Sequence, residues 1–192
     1  MATLHPNFIV GIGGSAGSLS AFKALLSSLS SETNMSFIFV SHLYPSANSQ
    51  LAQILARQTK MPVRLATNEM PIERNSVYVI PPDADLYIEE NYTFKVVSPR
   101  RSRNTQIDTF FSSLADCLGI GAIGIVLSGY DGDGTKGCKQ IKSKGGITFA
   151  QDKSAEVGSM PLSAQVGGNV DFVMAPEKIA LELQRIAKKL LP

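Results

Sequence analysis

Apolar residues in this chain fall into two kinds of run, and the two alternate. Phe8-Ile9-Val10, Ser36-Phe37-Ile38-Phe39-Val40-Ser41 and Ala122-Ile123-Gly124-Ile125-Val126-Leu127-Ser128 carry almost no polar interruption. Such runs suit strands covered by helices on both faces, as in a parallel sheet. Between them apolar positions recur at helical spacing: Leu19, Phe22, Leu25, Leu26 and Leu29, then Leu51, Ile54 and Leu55 within 48–59. Further helices are predicted over 107–118, 135–144, 160–167 and 176–190, the last opening on Pro176. Shorter strands are predicted at 61–65, 76–80, 147–150 and 171–173. Residues 85–97 read as a β-hairpin turning at Glu89-Glu90-Asn91. The order predicts an α/β fold: a doubly wound, mainly parallel sheet with helices on both faces and one β-hairpin. No repeat or linker divides residues 1–192, so a single domain is expected.

Composition narrows this little. Of 192 residues 44% are hydrophobic, enough for a real core. A net charge of +2 gives no argument for a nucleic-acid partner. No apolar run approaches the ~20 residues that span a bilayer, and no basic segment leads into a long apolar one, so neither membrane insertion nor a signal peptide is expected. Cys117 and Cys138 fall in predicted helices and read as buried free thiols in a reducing compartment, with a cytoplasmic location as the default.

The chemistry gathers where predicted strands end. Gly13-Gly14-Ser15-Ala16-Gly17 is a G-x-S-x-G pattern between a strand and a helix, which leaves a serine hydroxyl exposed beside free helix N–H groups. His42 closes the second long run before Pro45, and Asp131 and Asp133 sit in the loop after the third. In this fold class ligands bind outside the carboxyl ends of the strands. A serine needs a base, an imidazole exchanges protons near neutral pH, and a carboxylate behind it fixes the tautomer.

Other readings compete. Gly11, Gly13 and Ala16 also fit the dinucleotide pattern G-x-G-x-x-A, although the second strand ends in Ser41-His42 where that pattern wants an acid. The glycines read equally as a tight turn with Ser15 as a helix cap, and the aspartates as turn formers. Two aspartates and a serine make an incomplete metal set, so neither metal nor cofactor is expected. His5 reads as part of a frayed terminus.

VGIGGSAG (10–17), VSHLYP (40–45) and VLSGYDGDG (126–134) together resemble the catalytic domain of bacterial chemotaxis protein-glutamate methylesterases. VYVIPPDADL (77–86), IDTFFSSLA (107–115) and SMPLSA (159–164) extend the resemblance over nearly the whole chain, most like the form fused to a receptor methyltransferase. The resemblance implies a doubly wound fold and hydrolysis of glutamate methyl esters on chemoreceptors with release of methanol. For many members it also implies deamidation of receptor glutamines. It assigns Ser15 as nucleophile, His42 as base and Asp133, rather than Asp131, as the orienting carboxylate. Ala16 is then an oxyanion donor, and Gly17 and Tyr130 belong to the pocket. The implied partner is a methylated chemoreceptor or related signalling protein, whose acidic helices Arg100, Arg101 and Arg103 would meet. A solvated loop is the plainer reading of those arginines.

Four positions depart from the family pattern. Gly14 stands where alanine is common, Ser18 where a second glycine is usual, and Tyr130-Asp131 replace a different pair ending in glycine. Tyr130 is expected to narrow the pocket and Asp131 to add a charge beside the triad. A receptor-binding domain of the same fold without turnover is the alternative these departures leave open. The family's receiver domain is not within these residues, so either a larger multidomain chain surrounds them or control is exerted otherwise.

Overall fold

The computed structural model of the chain describes residues 5–42 and 45–189, with side chains at all of these except 45–49. Seven parallel strands form one sheet in the order β3-β4-β2-β1-β7-β8-β9. They are β1 (Phe8–Gly14), β2 (Met35–Ser41), β3 (Val63–Leu65), β4 (Ser76–Val79), β7 (Ala122–Val126), β8 (Ile147–Gln151) and β9 (Phe172–Met174). Strands β5 (Asp85–Ile88) and β6 (Phe94–Val97) pair antiparallel as the expected hairpin. Six helices connect them: α1 (Ser18–Ser27), α2 (Pro45–Ala56), α3 (Gln106–Leu118), α4 (Thr135–Ser143), α5 (Ser159–Val166) and α6 (Pro176–Lys189). From β1 the chain passes to β2 and then to the sheet edge at β3, returns to insert β4 between those two, and crosses to β7, β8 and β9 on the other side, so the switch in strand order falls at β1. Leu43 and Tyr44 of the His42 motif, and residue 190 of the expected last helix, lie outside the described residues.

The unbroken apolar runs are fully buried, as strands with helices on both faces must be. Side chains alternate across β1. Phe8, Val10 and Ile12 join Phe22, Leu25 and Leu26 of α1, Leu51 and Leu55 of α2, and Ile179 and Leu183 of α6. On the other face Ile9 packs in a cluster with Ile107, Phe110, Phe111 and Leu114 of α3, the hairpin, α4 and α5. Among the described residues no helix is long and apolar enough to cross a membrane.

Strand β1 is longer than its three apolar residues suggest, because it continues through Gly11, Gly13 and Gly14. These glycines do not form the turn; they let α3 lie down on the strand. A Cβ on Gly11 would come within 2.8 Å of the Phe111 ring, and one on Gly13 within 2.5 Å of Ile107 Cγ2. Gly124 and Gly137 meet Phe111 in the same way, so α3 occupies a trough of small residues. A dinucleotide loop is excluded by this packing, because Gly11 and Gly13 sit under side chains rather than facing a phosphate. Of the glycines around Ser15, Gly17 alone needs its conformational freedom, at φ 71°.

Two smaller expectations are corrected. Cys138 is buried, but Cys117 is only half-buried, because α3 ends over the outer turn of the hairpin with Cys117 Sγ on the Glu89 carbonyl at 3.3 Å. His5 does not fray. Its ring stacks on Tyr92 with centroids 4.2 Å apart, and its carbonyl accepts a bond from Arg74 Nε at 2.7 Å.

Candidate active site

Backbone register brings the predicted residues to one edge. Gly14 pairs with Ser41 across β1 and β2, so Ser15 and His42 are each the first residue beyond that pair. Neighbouring strands lie about 4.8 Å apart. On the other side Gly13 pairs with Val126, and Leu127 N–H donates to the Gly13 carbonyl at 2.9 Å. The loop 129–134 therefore leaves β7 at the same level.

Ser128 clamps the serine turn to β7. Its carbonyl accepts the Ser15 N–H at 2.9 Å, and its hydroxyl donates to the Ala16 carbonyl at 2.9 Å and accepts from Val157 N–H at 2.9 Å. Gly17 then turns the chain into α1 without a side-chain cap. A Cβ on Gly17 would meet both Ser128 Oγ and Glu156 Cβ at 2.9 Å.

Gly14 and Ser18 meet in a space with room for one side chain. Ser18 is buried against Gly14, and a Cβ on Gly14 would lie 2.7 Å from Ser18 Cβ and 2.8 Å from Phe22 Cζ.

His42 has a nearly buried side chain set between two carboxylates. Its Nε2 lies 2.5 Å from Asp133 Oδ2, and its Nδ1 lies 3.3 Å from Asp131 Oδ2 without a hydrogen bond. A carboxylate can only accept, so Asp133 fixes the proton on Nε2 and leaves Nδ1 as the basic nitrogen. Asp131 also makes the turn predicted for it, its Oδ1 accepting the Asp133 N–H at 3.1 Å.

Asp133 is held by the start of α3. Its Oδ2 accepts the Ile107 N–H at 2.9 Å and its Oδ1 the Asp108 N–H at 2.8 Å. The Asp133 side chain is wholly buried, and the positive end of the helix offsets the cost of burying its charge. Asp108 returns the favour to α4. Its Oδ1 accepts the Gly134 N–H at 2.9 Å and the Gly137 N–H at 2.7 Å. The start of α3 is thus capped by the aspartate of the loop before α4, and the start of α4 by an aspartate of α3, while Thr105 and Gly134, at the usual capping positions, contribute no side-chain bond. Burial raises the Asp108 carboxyl above its ordinary range. Gly137 and Gly134 pull it down, the neighbouring charge of Asp133 pushes it up, and Lys136 lowers it.

A cavity of about 240 Å³ opens beside the serine, lined by Ser15, Ala16 and Gly17 together with Leu19, Phe22, Leu51 and Ile54. Gln50 is a polar group on its wall. Tyr130 is not part of that lining. It is 73% exposed, because loop 129–134 turns its apolar anchor, Gly129, onto Met160 and leaves the next residue outside. Of the three arginines, Arg100 lies 3.3 Å from Asp83, Arg101 is tied through its N–H to Asp85 at 2.8 Å, and Arg103 is exposed. All three precede α3, and these partners of Arg100 and Arg101 lie at the start of the hairpin rather than in the site. Sequence reasoning missed Asp108 and Ser128. An acid in a first helical turn reads as a partner for its own helix, and a serine ending an apolar run reads as a strand terminus.

The CheB methylesterase family model matches residues 10–183. A protein of Leptospira interrogans is 33% identical over 172 residues, covering 88% of this chain and 89% of its own length. A Pseudomonas aeruginosa protein named protein-glutamate methylesterase/protein-glutamine glutaminase 3 is 30% identical over 181 residues, 93% of this chain but 54% of its own. The crystal structure of the Thermotoga maritima CheB methylesterase catalytic domain superposes with a TM-score of 0.88 at 25% identity, covering 93% of this chain and 98% of that one. Fold, motifs and relatives agree, and the chain belongs to the CheB methylesterase family.

Proposed function

We propose that this protein-glutamate methylesterase hydrolyses glutamate methyl esters on chemoreceptors with Ser15, His42 and Asp133 as its catalytic triad. The observation that carries the reading is the His42 Nε2–Asp133 Oδ2 contact of 2.5 Å at the strand end beside Ser15. It leaves Nδ1 to take the Ser15 proton as Oγ attacks the ester carbonyl. The carbonyl π electrons move to oxygen, and the Ala16 N–H at the uncapped start of α1 stabilises that oxyanion. When the oxyanion collapses, the bond to methoxide breaks, the imidazolium returns its proton and methanol leaves. Water, deprotonated by His42, then releases the glutamate from Ser15. Asp131 adds a second negative group beside Nδ1 while the proton is held there. A receptor glutamine fits the same path with ammonia leaving.

The apolar cavity takes the aliphatic part of the substrate next to the ester. Arg101 and Arg103 are assigned to an acidic receptor surface, whereas Arg100 is engaged by Asp83. Tyr130 is assigned to the rim rather than to the pocket wall. A cytoplasmic setting, where such receptor segments lie, belongs to the same proposal.

Methanol release from a methylated receptor tests it. Ser15→Ala and His42→Ala are each expected to lower kcat roughly a thousandfold or more. Equal release by the protein and both variants overturns the triad. No release by the protein itself favours a receptor-binding domain without turnover.

A further inference from the structure

Asp108 takes no part in the reaction above, yet it sits one hydrogen bond from the residue that orients the base. Three N–H groups hold the Asp133 carboxylate apart from His42: Ile107, Asp108 and Gly134. The first two belong to the first turn of α3, and the Asp108 N–H is one of them. Gly134, the third, is itself gripped by Asp108 Oδ1 at 2.9 Å, and the same oxygen reaches Gly137 one turn into α4 at 2.7 Å. Asp108 therefore bonds Asp133 with its backbone and pins the loop that carries Asp133 with its side chain.

We propose that Asp108 is a positioning residue for the triad carboxylate, acting as a strap between the starts of α3 and α4. The proposal rests on the reading of Asp133 as the partner of His42. Neither helix has a side-chain cap from its own capping position, so no local group replaces the strap when it is cut. Without it Gly134 and Gly137 lose their shared acceptor, loop 129–134 is free to move off α3, and Asp133 turns away from Nε2. What the strap needs is an oxygen at the Oδ1 position. The negative charge is a hindrance, because it is half-buried and close to a second carboxylate. Asparagine supplies the oxygen without the charge and is as good a helix cap as aspartate.

The experiment compares Asp108→Ala, Asp108→Asn and Asp108→Glu. Asp108→Ala is expected to lower kcat for methanol release roughly 10- to 100-fold with KM little changed, as a misplaced catalytic group does. Asp108→Asn is expected to stay within about threefold of the unaltered protein. In an Asp133→Ala background Asp108→Ala is expected to cost less than about twofold, since the group it positions is gone. An equal loss in both backgrounds makes Asp108 merely structural and overturns the proposal.

A second readout needs no substrate. The His42 Nε2–H, bonded to Asp133, gives a downfield proton NMR resonance that is expected to persist in Asp108→Asn and to vanish in Asp108→Ala. Persistence in Asp108→Ala overturns the strap. If Asp108→Ala does not fold, Asp108→Glu decides: it keeps the charge but moves the oxygens by a methylene. Loss of the resonance then supports the strap and retention overturns it. If the unaltered protein releases no methanol, the proposed function fails while the resonance still judges the strap.

Discussion

Two kinds of helix start meet at the carboxyl edge of the sheet. Helix α1 begins at Gly17, in the left-handed region, with no side-chain cap. Helices α3 and α4 begin with N–H groups occupied by a carboxylate from across the interface, Asp133 on α3 and Asp108 on α4. All three have the same partial positive charge at their first turn. At α1 that charge is left for a substrate oxygen, and small residues keep the approach open. At α3 and α4 it is spent on fixing the Asp133 and Asp108 carboxylates in place. Chemistry near a helix start thus depends on whether the fold has already supplied an anion.

The open start is the more fragile. Gly17→Ala asks a side chain to adopt φ 71° and to overlap Ser128 Oγ and Glu156 Cβ, each 2.9 Å from the new carbon. The conformation alone costs about 1–3 kcal/mol. Ser128 is the clamp on Ser15 and Ala16, so the damage passes to the proposed nucleophile, and kcat is expected to fall by roughly a hundredfold. Steady-state methanol release alongside thermal melting checks this. Loss of stability with kcat intact would show that the open start does not depend on the Ser128 clamp.

A smaller effect tests the contact between Gly14 and Ser18. Gly14→Ala overpacks a fully buried contact, at an expected cost of about 1–3 kcal/mol. In a domain of this size that is about 2–4 °C in Tm per kcal/mol. Adding Ser18→Gly removes the nearer of the two overlaps, at 2.7 Å, and is expected to recover about half or more of the loss. Ser18→Gly alone should change Tm little, as it creates no clash. Additive melting shifts would mean that the two positions do not compensate and that Phe22 alone sets the limit.

The unequal legibility of the two kinds of helix start has a physical origin. The sheet, the hairpin and the three strand ends follow from periodicity, because unbroken apolar runs such as Phe37–Val40 can only be buried on both faces. The serine turn was recognisable because its pattern is local, within five residues. The purpose of Gly11 and Gly13 was not, since it is set by Phe111 and Ile107, about 100 residues away. The same holds for Asp108, whose partners Gly134 and Gly137 belong to another helix and whose neighbours in sequence suggest an ordinary first-turn acid. Tyr130 shows the converse error: closeness in sequence to the site does not place a side chain in the pocket.

The sealed starts carry a cost that pH exposes. The folded protein raises the Asp108 carboxyl, burial being the largest cause, opposed by Gly137, reinforced by Asp133, and opposed again by Gly134 and Lys136. An unfolded aspartate titrates near 3.9. Between that value and the raised one, the folded state binds the more protons, so stability falls as pH rises. The contribution is fully present below about pH 4 and is lost as pH passes the folded value. Asp108→Asn removes the titration and keeps the oxygen on Gly134 and Gly137. Its Tm relative to the unaltered protein is therefore expected to improve as pH rises from about 4 to 7, the smallest of these effects and one read by its sign. Paired melts at the two pH values check it. If the difference runs the other way, the pull of the α4 start on the anion exceeds the burial penalty. Asp108 would then hold the strap by charge as well as by geometry, and the contrast with the uncapped α1 would be one of electrostatics before packing.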